Sequence, residues 1–172
     1  MKMVHTIDPV YDEHSEILIL GSFPSVKSRE QQFFYGHKQN RFWRVLAQVF
    51  SCEVPEDIPQ KKAMLLAHHI AVWDVIASCE ITGSSDASIR DVKPNDLSRI
   101  LSCADIRAIY TNGSKAHQLY QKYICPVNGR RAYQLPSTSP ANAGYSLERL
   151  VSAWKVIREN GGFLESEPQQ PL

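Results

Sequence analysis

The chain has 172 residues, 43% hydrophobic and 22% charged, with Lys+Arg 19 against Asp+Glu 18. That composition suits one ordinary globular domain and carries no global basic field to announce a nucleic-acid partner. The longest aliphatic run, Ile17 to Leu20, is far short of the ~20 apolar residues of a membrane helix, and Met1 to Asp8 hold no signal-peptide core, so a membrane or secreted protein is not expected.

In chain order, Ile17-Leu18-Ile19-Leu20 is a short apolar run that ends at Gly21-Ser22, the pattern of a buried strand. Phe42, Val45, Leu46 and Val49 then recur at helical spacing. Ile70 to Trp73 form a second strand-like run, ended by Asp74, and Pro94-Asn95-Asp96 has the look of a helix start ahead of Leu97, Ile100 and Leu101. A third run, Ile106 to Tyr110, leads into Asn112-Gly113 and a helical face of Ala116, Leu119, Tyr120 and Tyr123. The fourth, Ala132 to Leu135, meets Pro136-Ser137, and Leu147, Leu150, Val151, Trp154 and Ile157 make a last helical face. Near-continuous apolar strands alternating with helices predict a mostly parallel sheet covered on both faces, that is, a three-layer α/β domain. Residues 1–164 read as that one domain, while 165–172 lack a core face and are expected to fray. Cys52, Cys79, Cys103 and Cys125 lie too far apart for a zinc or iron–sulfur motif, so no metal is expected and the thiols read as reduced, as in the cytoplasm.

In such a fold the ligand crevice lies beyond the carboxyl ends of the strands. The segments that follow the four runs should therefore share one rim. Gly21-Ser22-Phe23-Pro24-Ser25 is a turn with backbone N–H groups but without phosphate-cradle spacing, which disfavours nucleotide triphosphates. Phe33 to Trp43 interleave aromatic residues with His37, Lys38 and Arg41, a pattern suited to stacking on a base beside a phosphate or, equally, to an aromatic core with solvated charges. Asn40 sits where a helix N-cap belongs. Asp74 ends a strand and either faces the crevice or bonds a nearby turn. Asn112 and Lys115 flank a helix start that can meet phosphate. Leu135 to Ala141 place two prolines around Ser137, Thr138 and Ser139, a stiff donor-rich loop suited to gripping a phosphate backbone.

Taken together, Gly21 to Ser25, the Gly36-His37-x-x-Asn40-Arg41-Phe42-Trp43 stretch, Trp73-Asp74-Val75, Asn112-Gly113 and Leu135-Pro136-Ser137-Thr138-Ser139-Pro140 resemble the uracil-DNA glycosylase superfamily, and within it the hypoxanthine (DNA-deoxyinosine) branch. The resemblance runs from about residue 17 to 157. It implies an α/β/α sandwich around a four-stranded parallel sheet and a repair enzyme that removes a deaminated base from DNA without a metal; no cofactor is expected, and the chain is expected to act as a monomer on DNA. By position it makes Ser22 and Phe23 part of the catalytic first loop and Asn40 the residue that places the attacking water. It gives Tyr35, Phe34, His37 and Asp74 to the flipped base, with Tyr35 stacking and Asp74 reading the ring edge. Ser25, Lys38, Arg41, Asn112, Lys115, Ser137, Thr138, Ser139 and Asn142 fall to the DNA backbone. Two positions depart from the family pattern: Phe23 stands where many members have Asn or Asp, and Leu135 where many have His. Both departures throw weight onto Asn40 and backbone donors. Other readings are a uracil or mismatch glycosylase of the same fold and a damaged-DNA-binding module without catalysis.

Overall fold

The computed structural model describes residues 1–82 and 88–160, so the expected tail at 165–172 lies outside the described residues. In chain order the strands are β1 (Lys2–Val4), β2 (Ile17–Gly21), β3 (Ile70–Asp74), β4 (Ile76–Glu80), β5 (Arg90–Pro94), β6 (Ala108–Asn112) and β7 (Tyr133–Leu135). The α-helices are α1 (Val26–Gln31), α2 (Phe42–Val49), α3 (Ile58–Ala67), α4 (Ser98–Leu101), α5 (Ser114–Leu119), α6 (Cys125–Asn128), α7 (Leu147–Trp154) and α8 (Val156–Asn160).

The four expected strands form one parallel sheet in the order β3-β2-β6-β7. Every residue of β2 and β3 is buried, which is why both read as unbroken apolar runs rather than as an alternating pattern. Helices flank this sheet, α3 packing on β3 and α5 on β6. Helix α2 buries Phe42, Trp43, Val45, Leu46, Ala47 and Val49, and Phe42 meets Trp154 of α7 edge to face at 5.9 Å. The expected single helix after Asn112 is instead α5, a π-helical turn over Tyr120–Ile124, and α6, which begins just before Pro126. The last helix is likewise split at Lys155 into α7 and α8.

A second sheet, antiparallel in the order β1-β4-β5, has no counterpart in the sequence reading. Its outer strands are largely exposed, so they carry no hydrophobic signature. Only Val75 separates β3 from β4, so the chain passes from one sheet to the other at Asp74. Asn95 clamps this joint, its Nδ2 donating to the backbone oxygens of Asp74 at 2.9 Å and Ile76 at 3.2 Å.

Candidate active site

The carboxyl ends of β2, β3 and β6 open into a cavity of about 520 Å³, lined also by residues of the first loop (21–25), by Phe34, Tyr35 and Asn40, and by the late loop (137–141). Its floor needs Gly21. A Cβ there would fall inside the van der Waals radius of Asp74 Oδ1 and 3.1 Å from the Tyr35 hydroxyl oxygen, so three groups share a space that only a bare Cα leaves open. Asp74 is 3% exposed, and its Oδ2 lies 2.8 Å from His5 Nε2.

Tyr35 occupies a left-handed backbone conformation, φ 51°, which costs a non-glycine residue on the order of 1–3 kcal/mol. Tertiary contacts hold it there. Its ring lies on Phe42, centroids 4.0 Å apart and 19° from parallel, and Trp43 Nε1 donates to its backbone oxygen at 3.2 Å. The hydroxyl is buried, makes no hydrogen bond among the described residues and stands over Gly21 toward Asp74. Burial first, and then the Asp74 carboxylate, push its ionisation far above the ordinary tyrosine range, with Asn112 offsetting part of the rise. Tyr35 therefore stays a neutral phenol with one ring face backed by protein.

Asn40 is held by two donors. Phe42 N–H, the first of α2, reaches its Oδ1 at 2.9 Å, and the Thr138 hydroxyl donates to the same oxygen at 2.8 Å; the N-cap position expected for Asn40 is occupied by Arg41, which makes no side-chain cap bond. Thr138 is in turn fixed to Asn112, whose Nδ2 donates to the Thr138 hydroxyl and whose Oδ1 accepts Thr138 N–H, both at 3.0 Å. With both lone-pair positions of Oδ1 taken, Asn40 presents its Nδ2–H groups, which make no hydrogen bond among the described residues. The residue that binds the first N–H of α2 therefore also lines the cavity. In the first loop, the N–H groups of Ser22, Phe23 and Ser25 donate to no acceptor among the described residues, while Pro24 has none to give.

A family model for the uracil DNA glycosylase superfamily matches residues 9–158. The chain belongs to that superfamily. Two curated relatives, each called hypoxanthine DNA glycosylase, come from Methanosarcina acetivorans and Methanosarcina barkeri. The first is 36% identical over 150 residues, spanning 86% of this chain and 93% of its own, and the second is 33% identical over 148 residues, spanning 85% and 92%. An NMR solution structure of a Methanosarcina acetivorans protein, put forward as a uracil DNA glycosylase, superposes with a TM-score of 0.77 at 33% identity, covering 91% of this chain and 97% of that one.

Within this superfamily fold, several residues expected at the site do gather on the cavity wall: Ser22, Phe23, Ser25, Phe34, Tyr35, Asn40, Asp74, Asn112, Ser137, Thr138 and Ser139. Ser137 and Ser139 accept backbone N–H groups from Ser139 and Ala141, each at 3.1 Å, which leaves both hydroxyl hydrogens available to donate. Four expectations need correction. His37 is exposed and lines a neighbouring groove rather than this cavity; its Nδ1 accepts Gln39 N–H at 3.1 Å, so it shapes the loop. Arg41, expected on phosphate, turns inward, its guanidinium donating to the backbone oxygens of Tyr145, Ser139 and Asn142 and so clamping the late loop. Thr138 is fully buried, its hydroxyl locked between Asn112 and Asn40 and out of reach of a phosphate. Asn142 donates its amide to Ser137 O at 3.0 Å, another internal staple. Lys38 is exposed and Lys115 half-buried, both outside the cavity lining.

Two residues at the site were missed. Arg29 of α1 lines the cavity, its guanidinium carbon 5.7 Å from the Phe23 ring centroid and its buried Nε without a partner among the described residues. His5 lies 69 positions from Asp74. No motif or spacing in the sequence singled out Arg29, and nothing local marked His5.

Proposed function

We propose that this protein is a monofunctional DNA glycosylase that hydrolyses the N-glycosidic bond of a flipped, deaminated base, hypoxanthine above all. The observation that carries the reading is the pairing in one cavity of a carboxylate acceptor at Asp74 with the open N–H groups of the first loop. An enzyme acting at the sugar–base bond must first rotate the nucleotide out of the duplex, at a cost of a few kcal/mol. Stacking on the free face of Tyr35, whose other face rests on Phe42, returns about 1–3 kcal/mol.

Deamination converts N1 of adenine from an acceptor into an N–H donor. Asp74 accepts from hypoxanthine and repels the lone pair of adenine, a buried polar mismatch of the kind that discriminates strongly. A carboxylate opposes the departure of a base anion, so Asp74 reads rather than catalyses. The departing charge falls to the N–H groups of Ser22, Phe23 and Ser25, with the Arg29 guanidinium beside them. One such donor is typically worth about 2.7–4 kcal/mol.

Asn40 is a neutral amide that cannot take a proton from water. Its Nδ2–H holds the water oxygen by one lone pair and leaves another aimed at C1′. The bond therefore breaks ahead of attack, giving an oxocarbenium-like sugar. Water oxygen then bonds to C1′, and its proton passes through solvent to the released base. Ser137, Ser139, Lys38 and Lys115 meet the phosphates. The four free thiols fit a reducing, cytoplasmic setting, and a monomer suffices because the cavity is built from one chain.

The test is incubation with duplexes holding a single inosine, uracil or xanthine, followed by alkaline cleavage at abasic sites. Strand breaks at inosine are expected. Breaks mainly at uracil move the substrate to the uracil-removing branch, and binding without breaks removes the catalytic reading.

A further inference from the structure

His5 stands directly after β1, yet its Nε2 lies 2.8 Å from Asp74 Oδ2, with 2% of the His5 side chain and 5% of the Asp74 side chain exposed. The other ring nitrogen is also occupied, because Ile7 N–H donates to His5 Nδ1 at 3.2 Å. A peptide nitrogen can only donate, so Nδ1 carries no proton and the ring proton sits on Nε2, facing the carboxylate. The ring has no room to turn. Phe23 and Trp73 meet it edge to face, with centroids at 5.9 and 6.3 Å, and Phe34 lies tilted at 6.3 Å. Its backbone is pinned as well, His5 N–H donating to Ala77 O of β4 at 2.7 Å.

We propose that His5 is a positioning residue for base selection: its fixed Nε2–H holds Oδ2 of Asp74 so that Oδ1 alone meets the base, as an acceptor only. This rests on the glycosylase reading above. Oδ1 faces the Gly21 Cα and the Tyr35 hydroxyl, at the cavity floor. A carboxylate bound on one oxygen and bare on the other accepts a ring N–H and offers nothing to an unprotonated ring nitrogen. Without His5, Asp74 is a buried carboxyl group lacking a donor on Oδ2. It then turns away or takes up a proton, and a carboxylic acid O–H can donate to N1 of adenine. His5 thus keeps the reader from changing its preference.

The experiment compares wild type, His5→Phe and His5→Gln in single-turnover base release from duplexes that differ only in one inosine or one mispaired adenine. Phe preserves the ring and removes the donor; Gln restores an N–H near the place of Nε2–H. The inosine-over-adenine ratio should fall about tenfold to a hundredfold in His5→Phe, the scale of one charge-assisted hydrogen bond, and recover to within a few-fold in His5→Gln. A purely structural role lowers both rates together; an unchanged ratio in His5→Phe, with wild type active at inosine, overturns the His5 proposal alone. No release by wild type at inosine overturns the glycosylase reading, and the selection role with it. Should His5→Phe fail to fold, nitrogen-15 NMR of the wild-type imidazole decides: a neutral ring protonated at Nε2 supports the assignment, and protonation at Nδ1 overturns it.

Discussion

The floor of the cavity and its rim are built on opposite principles. On the floor, Asp74, Asn112, Thr138 and the Oδ1 of Asn40 are buried or half-buried and tied to one another or to their neighbours by side-chain hydrogen bonds. At the rim, Ser137 and Ser139 accept from backbone yet keep a hydrogen to donate, and Lys38 stands in solvent. On the glycosylase reading proposed above, the contrast separates two tasks. Groups that recognise or transform a base must be fixed before it arrives, because preorganised dipoles in a dry site need no reorganisation during the reaction. Groups that hold a flexible phosphate backbone gain from freedom to adapt. Arg41 belongs to neither set: it is a basic residue beside the rim whose donors hold the late loop together from within.

Substitutions along that divide should differ in kind as well as in size. Asn40→Ala should lower base release by about 10²–10³, the cost of one positioned donor, with DNA affinity nearly unchanged; single-turnover assays and titration on an uncleaved duplex measure the two. Gly21→Ala crowds Asp74 and Tyr35 together and should lower release by about 10², the scale of an ångström's misplacement, without weakening DNA binding. Arg41→Ala should act on stability, lowering it by roughly 2–3 kcal/mol in denaturant unfolding through loss of charge-assisted bonds to three carbonyls. If it instead only weakened binding at low salt, the inward reading of Arg41 would be wrong. At the rim, Lys38→Ala should reduce the slope of log affinity against log salt by about 1, with little effect on the rate at saturation.

The smallest effect concerns Tyr35. Its folded ionisation lies above its unfolded one, so its contribution to stability is complete below the ordinary tyrosine range near pH 10 and is lost as pH rises beyond it. Tyr35→Phe should leave neutral-pH stability close to wild type and remove part of the alkaline decline, as read from unfolding midpoints between neutral and strongly alkaline pH.

The parts legible in the sequence were those whose physics is local. Strands buried on both faces must be apolar throughout, so Ile17 to Leu20 and Ile70 to Trp73 announced the parallel sheet and hence the edge at which the crevice opens. Phe42 to Val49 announced a helix because one face is core. Helix α3 buries only Met64 and Leu65 and left no such trace. The antiparallel sheet was silent for the same reason, its exposed outer strands needing no pattern.

Spacing by itself therefore announced the parallel strands and the edge at which the crevice opens. Which way each side chain faces was decided in three dimensions. Asn40 presents its N–H groups because Phe42 and a residue 98 positions away, Thr138, fill its oxygen. Asp74 has His5, a residue from just after β1, on one oxygen, while its other oxygen stands at Gly21 on the cavity floor. Hydrogen-bond saturation is a property of neighbours in space, and only the folded chain determines who those neighbours are.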